Sequence, residues 1–488
     1  MAKARSGFVT FEARAAEAAR TLLRHQGYDG GWGLTLTSVS SIVNSGEVLP
    51  ILRVAGIAGQ PLRHALDFLT TALPEHCRLR SEGGRGEHTR FVAFGMTGLL
   101  SHPRSIHYDA VAQTLAWCVD WLDAHRVDDG WPEVRGLNDT SLHQTALVVH
   151  GLAQFRDTLH DLGPGLVLPG AVDTTGLLEW VEPLIDHGIR GLLYHRRSSG
   201  AWGWRTYVDT DPSPSKTALS LLALSAVTSG RGPRGEPAYR DVLRDSGGVH
   251  GLVQRKRLSE VVADAGQWLL CNHHRWETLV ENDKDVRGTA WEHMAYALCA
   301  RAAVRAGASP LDPRLSKAWR LMDELWDPEV GMWNEPGASG RRATVRAAYY
   351  TLSAYEEAAA RLARIGLRGQ VGAGDHESTA EIVIVSAELV GGNTILLTTP
   401  SSEGPVACVL SERMFDLAKV VHDHRGEGAP TEQIARALFL APSSVPKYVQ
   451  RLNQAVSTAL GGAPARLLHA RTVDGGSGYA WARSETTG

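Results

Sequence analysis

The chain of 488 residues has little cysteine, no long apolar run and almost no net charge. Each shortage closes a class of function. Its five cysteines (Cys77, Cys118, Cys271, Cys299, Cys408) form no C-x-x-C pair, so they read as reduced thiols packed as small apolar groups rather than as a disulfide framework. No apolar stretch reaches the ~18–20 residues that cross a bilayer, and the start MAKARSGFVTFEARAAEAAR has no apolar core ahead of a cleavage site. A cytoplasmic protein with no membrane span is expected. With 21% charged and 43% hydrophobic residues and a net charge of −3, the chain is neither disordered nor a polyanion coat. A phosphate loop is missing too. The glycine-rich HQGYDGGWG (25–33) has no lysine in G-x-x-x-x-G-K-[ST] spacing and follows a helix rather than a strand.

What is present is a repeat. The turn around Trp32 recurs as DDGWPEV at Trp131, SGAWGW at Trp202, HHRWETL at Trp276 and EVGMWNE at Trp333. Some 13–15 residues after each Trp, a helix rich in Ala, Leu and Gly begins, for example HQTALVVHGLAQF, KTALSLLALSAV and GTAWEHMAYALCARAA. SEGGRGEHTRFVAFGMTGLL is a degenerate copy without its Trp, which makes about six units. Between them run helices with one apolar stripe, such as Leu177, Trp180, Val181 and Leu184. Buried helices alternating with half-wet ones describe two concentric rings, and stacked pairs bury what one pair cannot.

This arrangement resembles the α/α toroid of squalene–hopene cyclases, class II diterpene cyclases and protein prenyltransferase β subunits. Gln26 followed by Gly30-Gly31-Trp32 is similar to the tail of the cyclases' Q-x(2–5)-G-x-W motif. The resemblance implies a multidomain chain whose residues 1–365 form an all-α (α/α)6-like toroid. It also implies that an active cyclase would show D-x-D-D-T-A, with a carboxylic acid held neutral at an inner helix start. Asp209 and Asp211 in DTDPSPSKTALSLLAL imitate the first half, but Pro212 takes the place of the next Asp. The proton-donor position, two residues before the Thr, holds Ser215, His143 and Arg287 in three parallel segments. Asp209, Asp211 and His143 are therefore weak catalytic candidates, and Asp209 and Asp211 read as a polar turn capping the next helix. The prenyltransferase zinc site needs D-x-C with a distant His; CNHHRWE offers Cys271, His273 and His274 without that pattern, so neither a metal nor another cofactor is expected.

Cations stand where the acids would be. Arg90, Lys216, Arg287, Arg342 and Arg346 lie near inner helix starts, whose N-termini themselves attract anions, with Trp291 and Tyr349 nearby. If these residues face one mouth of the ring, it would take an amphiphilic anion. The alternative is a row of charges solvated on the loop face.

GLRGQVGAGDHES (366–378) reads as a linker, and the pattern then changes. Residues 379–488 show short β-branched runs, three helices and a final two-strand segment around VDGGSGY. This order resembles the OmpR-type winged-helix output domain, a small α+β domain with an N-terminal antiparallel sheet. The resemblance implies that Ser443, Ser444, Lys447, Tyr448, Gln450, Arg451, Asn453 and, on the wing, Arg471 face DNA. Nine Lys/Arg stand against ten Asp/Glu over 379–488, so the domain is not basic, and a homodimer would be needed to double its phosphate contacts. The favoured expectation is a regulatory, non-catalytic bacterial protein, its toroid sensing a ligand or docking a protein partner and its winged helix binding DNA. An atypical isoprenoid diphosphate cyclase or transferase and a protein-binding scaffold of a bacterial conflict or defence system are the alternatives.

Overall fold

The computed structural model describes residues 2–488 except 84–87, 134–138, 164, 169–171, 204–205, 207–211, 231–238, 240, 249–252, 277–280, 285–289, 338–339, 372–385, 391–392, 399–405, 425–427, 460–466, 474–475 and 482–488. It divides into two compact units, Met1–Arg361 and Leu362–Gly488.

The first unit is built from α1 (Ala2–Arg24), α2 (Ile42–Val54), α3 (Gln60–Gly83), α4 (His88–Leu100), α5 (Asp109–Ala124), α6 (Leu142–Leu162), α7 (Thr174–Tyr194), α8 (Pro214–Ser229), α9 (Leu258–Cys271), the single turn α10 (His273–Trp276), α11 (Ala295–Arg305), α12 (Ser316–Glu324) and α13 (Val345–Val371). Burial sorts them into two layers. In α8 every residue from Pro214 to Ser225 is buried, and α2 is buried from Ile42 to Leu52 except at Pro50. Such helices have no wet face and must be inner. By contrast, α12 buries Ala318, Trp319 and Met322 and leaves its other side exposed, as an outer helix does. Inner helices pack in sequence, α2 on α4, α4 on α6, α6 on α8 and α8 on α11. The ring then closes. Arg53 of α2 donates from Nη2 to both carboxylate oxygens of Glu356 on α13 at 2.6 and 2.7 Å, the Leu34 carbonyl accepts from the Val345 amide at 2.9 Å, and outside them Arg14 of α1 pairs with Asp323 of α12 at 2.6 Å. Strong cation–carboxylate bonds thus tie first helices to last.

The joints between layers explain the tryptophans. Trp32, Trp131, Trp202, Trp276 and Trp333 are 0–3% exposed. Each indole Nε1 donates to a carbonyl near the end of the preceding outer helix: Leu22, Leu122, Leu192, Leu269 and Met322, at 2.7–3.0 Å. These carbonyls sit in the last turns, where helical partners run out. At three joints the Trp backbone amide also donates to a hydroxyl in the next inner helix, Ser45, Thr145 or Thr217, at 2.9–3.1 Å. One residue therefore fastens an outer helix to its inner neighbour. The turn before it is equally constrained: Gly30 has φ +89°, and a Cβ there would lie 2.3 Å from the His64 carbonyl oxygen. Gln26 completes the first joint, donating to Gly30 O and Pro61 O.

Three local expectations change. The helix expected from Gly288 starts only at Ala295, because Glu281–Lys284 and Ala290–His293 pair as an antiparallel hairpin and hold Trp291 in a strand. Further hairpins link other helices, so the unit is mostly helical without being all-α. The linker expected at 366 begins instead as helix, since α13 runs on to Val371; a lone glycine costs a helix only about 1 kcal/mol.

The second unit holds a three-stranded antiparallel sheet (Ser386–Val390, Thr394–Thr398, Val406–Val409), the helices α14 (Glu412–Asp423), α15 (Thr431–Ala437) and α16 (Val445–Ala459), and the antiparallel pair Leu468–Val473 and Gly476–Trp481, whose second strand also pairs with Ala429–Pro430. Its core joins Leu417, Ile434, Val449 and Leu452 of the helices to Ile395 and Trp481 of the strands. No described helix is long and apolar enough to cross a membrane.

The joint makes a direct prediction. Trp202→Phe keeps the buried ring but leaves the Leu192 carbonyl without its donor, and urea unfolding should show a loss of about 1–3 kcal/mol. An unchanged midpoint would mean that the indole bond holds nothing together.

Candidate functional site

Because inner and outer helices alternate, the inner helices run in one direction and start at one end of the ring. Ser213 caps α8 by accepting from the Lys216 amide at 3.2 Å, and Ser141 caps α6 by accepting from the Gln144 amide at 3.4 Å. Serine caps thus do the work expected of Asp209 and Asp211, which lie outside the described residues. In the first turn of α8, Lys216 is only 4% exposed and its Nζ lies 2.9 Å from Nδ1 of His143, in the first turn of α6. A lysine ammonium donates there, so His143 accepts at Nδ1 rather than standing as an independent acid.

Arg90 in the first turn of α4 and Arg346 in the first turn of α13 are half-buried. Both act on a carboxyl that sequence reading passed over. Glu47, in α2, is 1% exposed; Asn44 Nδ2 donates to its Oε2 at 3.0 Å, and no described protein group bonds Oε1. Burial raises the Glu47 pKa above the usual glutamate value, with Arg346, Arg90 and Asn44 pulling it back and the charge of Glu335 adding to the rise. Glu335, 6% exposed on the first strand (Met332–Gly337) of the hairpin before α13, accepts from the Thr344 hydroxyl at 3.0 Å and lies 3.9 Å from Arg346. Its charge adds to burial in raising the phenol pKa of Tyr296, whose hydroxyl is buried without a bond from any described protein group. Two arginines, two buried carboxyls and a phenol thus act on one another at the starts of α4, α11 and α13, while Lys216 and His143 form a separate pair at the starts of α8 and α6.

Phe94, Leu219, Leu222, Leu298 and Tyr349 surround a cavity of ≈ 30 Å³, room for about one or two waters. His150 and Arg301 border it, and burial, reinforced by Arg301 and Arg305, pushes the His150 pKa down to about 3. Tyr349 is 9% exposed, and burial raises its phenol while Arg301 opposes the rise. It lines the cavity.

Of the ligand residues expected from sequence, Arg90, Lys216 and Arg346 lie in the first turns of inner helices, Arg90 and Arg346 acting on Glu47 and Lys216 paired with His143, and Tyr349 lines the ≈ 30 Å³ cavity. Arg342 is exposed to solvent, directly across the hairpin from Glu335. Arg287 and the side chain of Trp291 lie outside the described residues. Glu47 had a visible signal: it is the one acid in VNSGEVLPIL, a run otherwise apolar or small on every helical face. Cys271 and His273 serve a helix end, Cys271 accepting from Gln267 and His273 contacting the Leu270 carbonyl. No group of three metal-ligating side chains occurs among the described residues.

In the second unit Ser443, Lys447, Gln450 and Arg451 are exposed, and Ser444 is half-buried. Asn453 is committed elsewhere: its amide donates to the Leu468 carbonyl and accepts from the amides of Leu467 and Leu468, fixing α16 to the following strand. Tyr448 accepts from Arg413 at 3.2 Å, with the Arg451 guanidinium 6.0 Å from its ring centre. The side chain of Arg471 lies outside the described residues.

No family model and no curated protein matches the chain. Solved structures similar to it include the GH76A α-1,6-mannanase from Salegentibacter sp. HEL1_6 (TM-score 0.45, 9% identity, 72% of this chain and 99% of that one). The cellobiose 2-epimerase from Spirochaeta thermophila is similar to the same degree (TM-score 0.45, 16% identity, 72% and 97%). So is an inactive variant of that mannanase in complex with α-1,6-mannotriose (TM-score 0.44, 10% identity, 72% and 99%). They are a mannanase, an epimerase and a mannanase variant, not terpene cyclases and not DNA-binding regulators. The terpene-cyclase and prenyltransferase resemblance and the winged-helix, DNA-binding transcription-regulator reading are accordingly set aside. The physical reason is plain at both ends: the ring carries cations where an acid motif was sought, and Asn453 is spent on the domain's own strand.

The buried histidines set a pH dependence. His150, His102 (pushed down to about 4, mainly by burial) and His187 are held neutral in the fold, while the unfolded chain takes up their protons near its ordinary value of 6.5. Their contribution is complete above that value and is lost as pH falls from 6.5 toward 3. Thermal midpoints should drop across this window, and less steeply in His150→Gln; parallel curves for the two proteins would show that His150 does not titrate as its burial requires.

Proposed function

We propose that the first unit is a receptor for a small anionic molecule, bearing a phosphate or carboxylate group, held at the mouth where the inner helices start, and that the protein is regulatory rather than catalytic. The observation that supports this is Lys216. A cation in the first turn of a helix opposes the helix dipole at a cost of about 0.3–1 kcal/mol, and burying it adds desolvation. Lys216 is buried there and close to His143, with Arg90 and Arg346 half-buried in the first turns of two other inner helices. A fold that repeats this conflict around one mouth is suited to an anion, which gains from the ammonium, both guanidinium groups and the first-turn amides together. Glu47 adds discrimination. In its neutral form the carboxyl donates a hydrogen bond, as the Tyr296 hydroxyl does, so a ligand with acceptors beyond its charged group fits better than a bare ion.

Pyrophosphate and citrate serve as probes. At concentrations well above Kd either should raise the unfolding midpoint through mass action, about 2.7 kcal/mol at 100-fold excess over Kd, relative to sodium chloride of matched ionic strength. Lys216→Gln, which removes a buried charge and should fold at least as well, should abolish the shift. Equal shifts for chloride and the probes, or an undiminished shift in Lys216→Gln, would refute the receptor reading.

A further inference from the structure

A second cavity lies away from the ring mouth, in the groove between the outer helices α3 and α5. Its volume is ≈ 550 Å³, within the range of small-molecule sites. Trp117 and Trp121 on α5 and His125 at its C-cap recur every four residues and so form one stripe along the helix. Trp121 is 8% exposed and stacks on His125 with ring centroids 4.0 Å apart and planes 9° from parallel, giving a rigid aromatic floor. Trp117 is half-buried, so part of its indole is open to the groove.

The opposite wall is polar and balanced. Glu75 and Arg78 pair at 3.1 Å on α3, both more than half exposed, which offers carboxylate acceptors and guanidinium donors with no net charge. Pro74 stands inside α3 and has no N–H to give to the Thr70 carbonyl four residues back, and Thr70 lines the same groove. That carbonyl therefore lacks its regular i+4 donor and is a backbone acceptor beside the groove. Cys77, 2% exposed, closes the base.

An indole beside paired donors and acceptors of cancelling charge suits a neutral, hydroxyl-rich ring. An anion would gain little from the neutral ion pair, and a purely apolar ligand would leave Glu75, Arg78 and the Thr70 carbonyl unmatched. We infer that the α3–α5 groove binds a neutral pyranose sugar, its C–H face against Trp117 and its hydroxyls bonded to the Glu75–Arg78 pair and the Thr70 carbonyl. This site is independent of the anion site in position and in charge.

The test uses the full-length protein with methyl α-glucopyranoside, methyl α-mannopyranoside, methyl β-galactopyranoside and maltose, read by tryptophan fluorescence and saturation-transfer NMR. Saturable binding of at least one sugar is expected. Affinity should fall at least about tenfold (~1.4 kcal/mol) in Trp117→Ala and fall also in Glu75→Gln, a surface change that leaves folding intact. Lys216→Gln should bind the sugar as the parent does. Absence of saturable binding to all four sugars, undiminished binding in both groove variants, or Trp117-dependent binding of adenine in place of sugar would overturn the assignment.

Discussion

The indole N–H that reaches back to the end of the preceding outer helix is the bond on which the toroid depends. A helix ends with carbonyls it cannot satisfy, and inside a double ring water cannot reach them all. Trp32, Trp131, Trp202, Trp276 and Trp333 supply the missing donor while their rings fill the space between layers. Where Ser45, Thr145 and Thr217 also hold the Trp backbone, the start of the inner helix is fixed relative to the end of the outer one. The position of each first turn, and of any side chain it carries, follows from that joint. Lys216 is thus placed by Trp202 through Thr217, one residue along the same helix.

The site's character comes from a conflict that the fold maintains. Cations occupy helix starts, which prefer acids, while Glu47 sits buried and unmatched at one oxygen. Either arrangement alone costs stability; side by side, Arg90 and Arg346 partly neutralise Glu47 and leave the mouth positive. Among the described residues, Phe94, Leu219, Leu222, Leu298 and Tyr349 leave a cavity of ≈ 30 Å³ between the inner helices. Sensing at a rim formed by several helix starts would couple ligand occupancy to the packing of those helices, which is the link a regulatory protein requires.

Much of the helical frame was legible because it is periodic. The Trp turns and the contrast between all-round apolar and one-striped helices mark inner and outer layers, and α6, α8 and α13 start within a few residues of where their segments place them. The hairpin at Glu281–His293 was not legible: AWEHMAYALC carries small and aromatic residues compatible with strand or helix, and only its pairing with the neighbouring Glu281–Lys284 decides. At the site, Lys216, Arg90 and Arg346 could be picked out by their spacing from the repeat, but their burial could not. Glu47 escaped because an acid motif is sought at fixed offsets, and its role arises from arginines more than 40 and nearly 300 residues further along the chain. Family resemblance misled most where a shared architecture stood in for shared chemistry.

An anion at the first turns of the inner helices would perturb the amides of those turns directly. Backbone amide shifts in a TROSY spectrum of deuterated protein, titrated with pyrophosphate, locate the ligand without relying on any substitution. The account predicts saturating changes concentrated at Gln144, Thr145, Lys216, Thr217, Arg346 and Ala347. Changes spread over exposed surface lysines and arginines, or centred on Thr70–Arg78 and Trp117–His125, would contradict it.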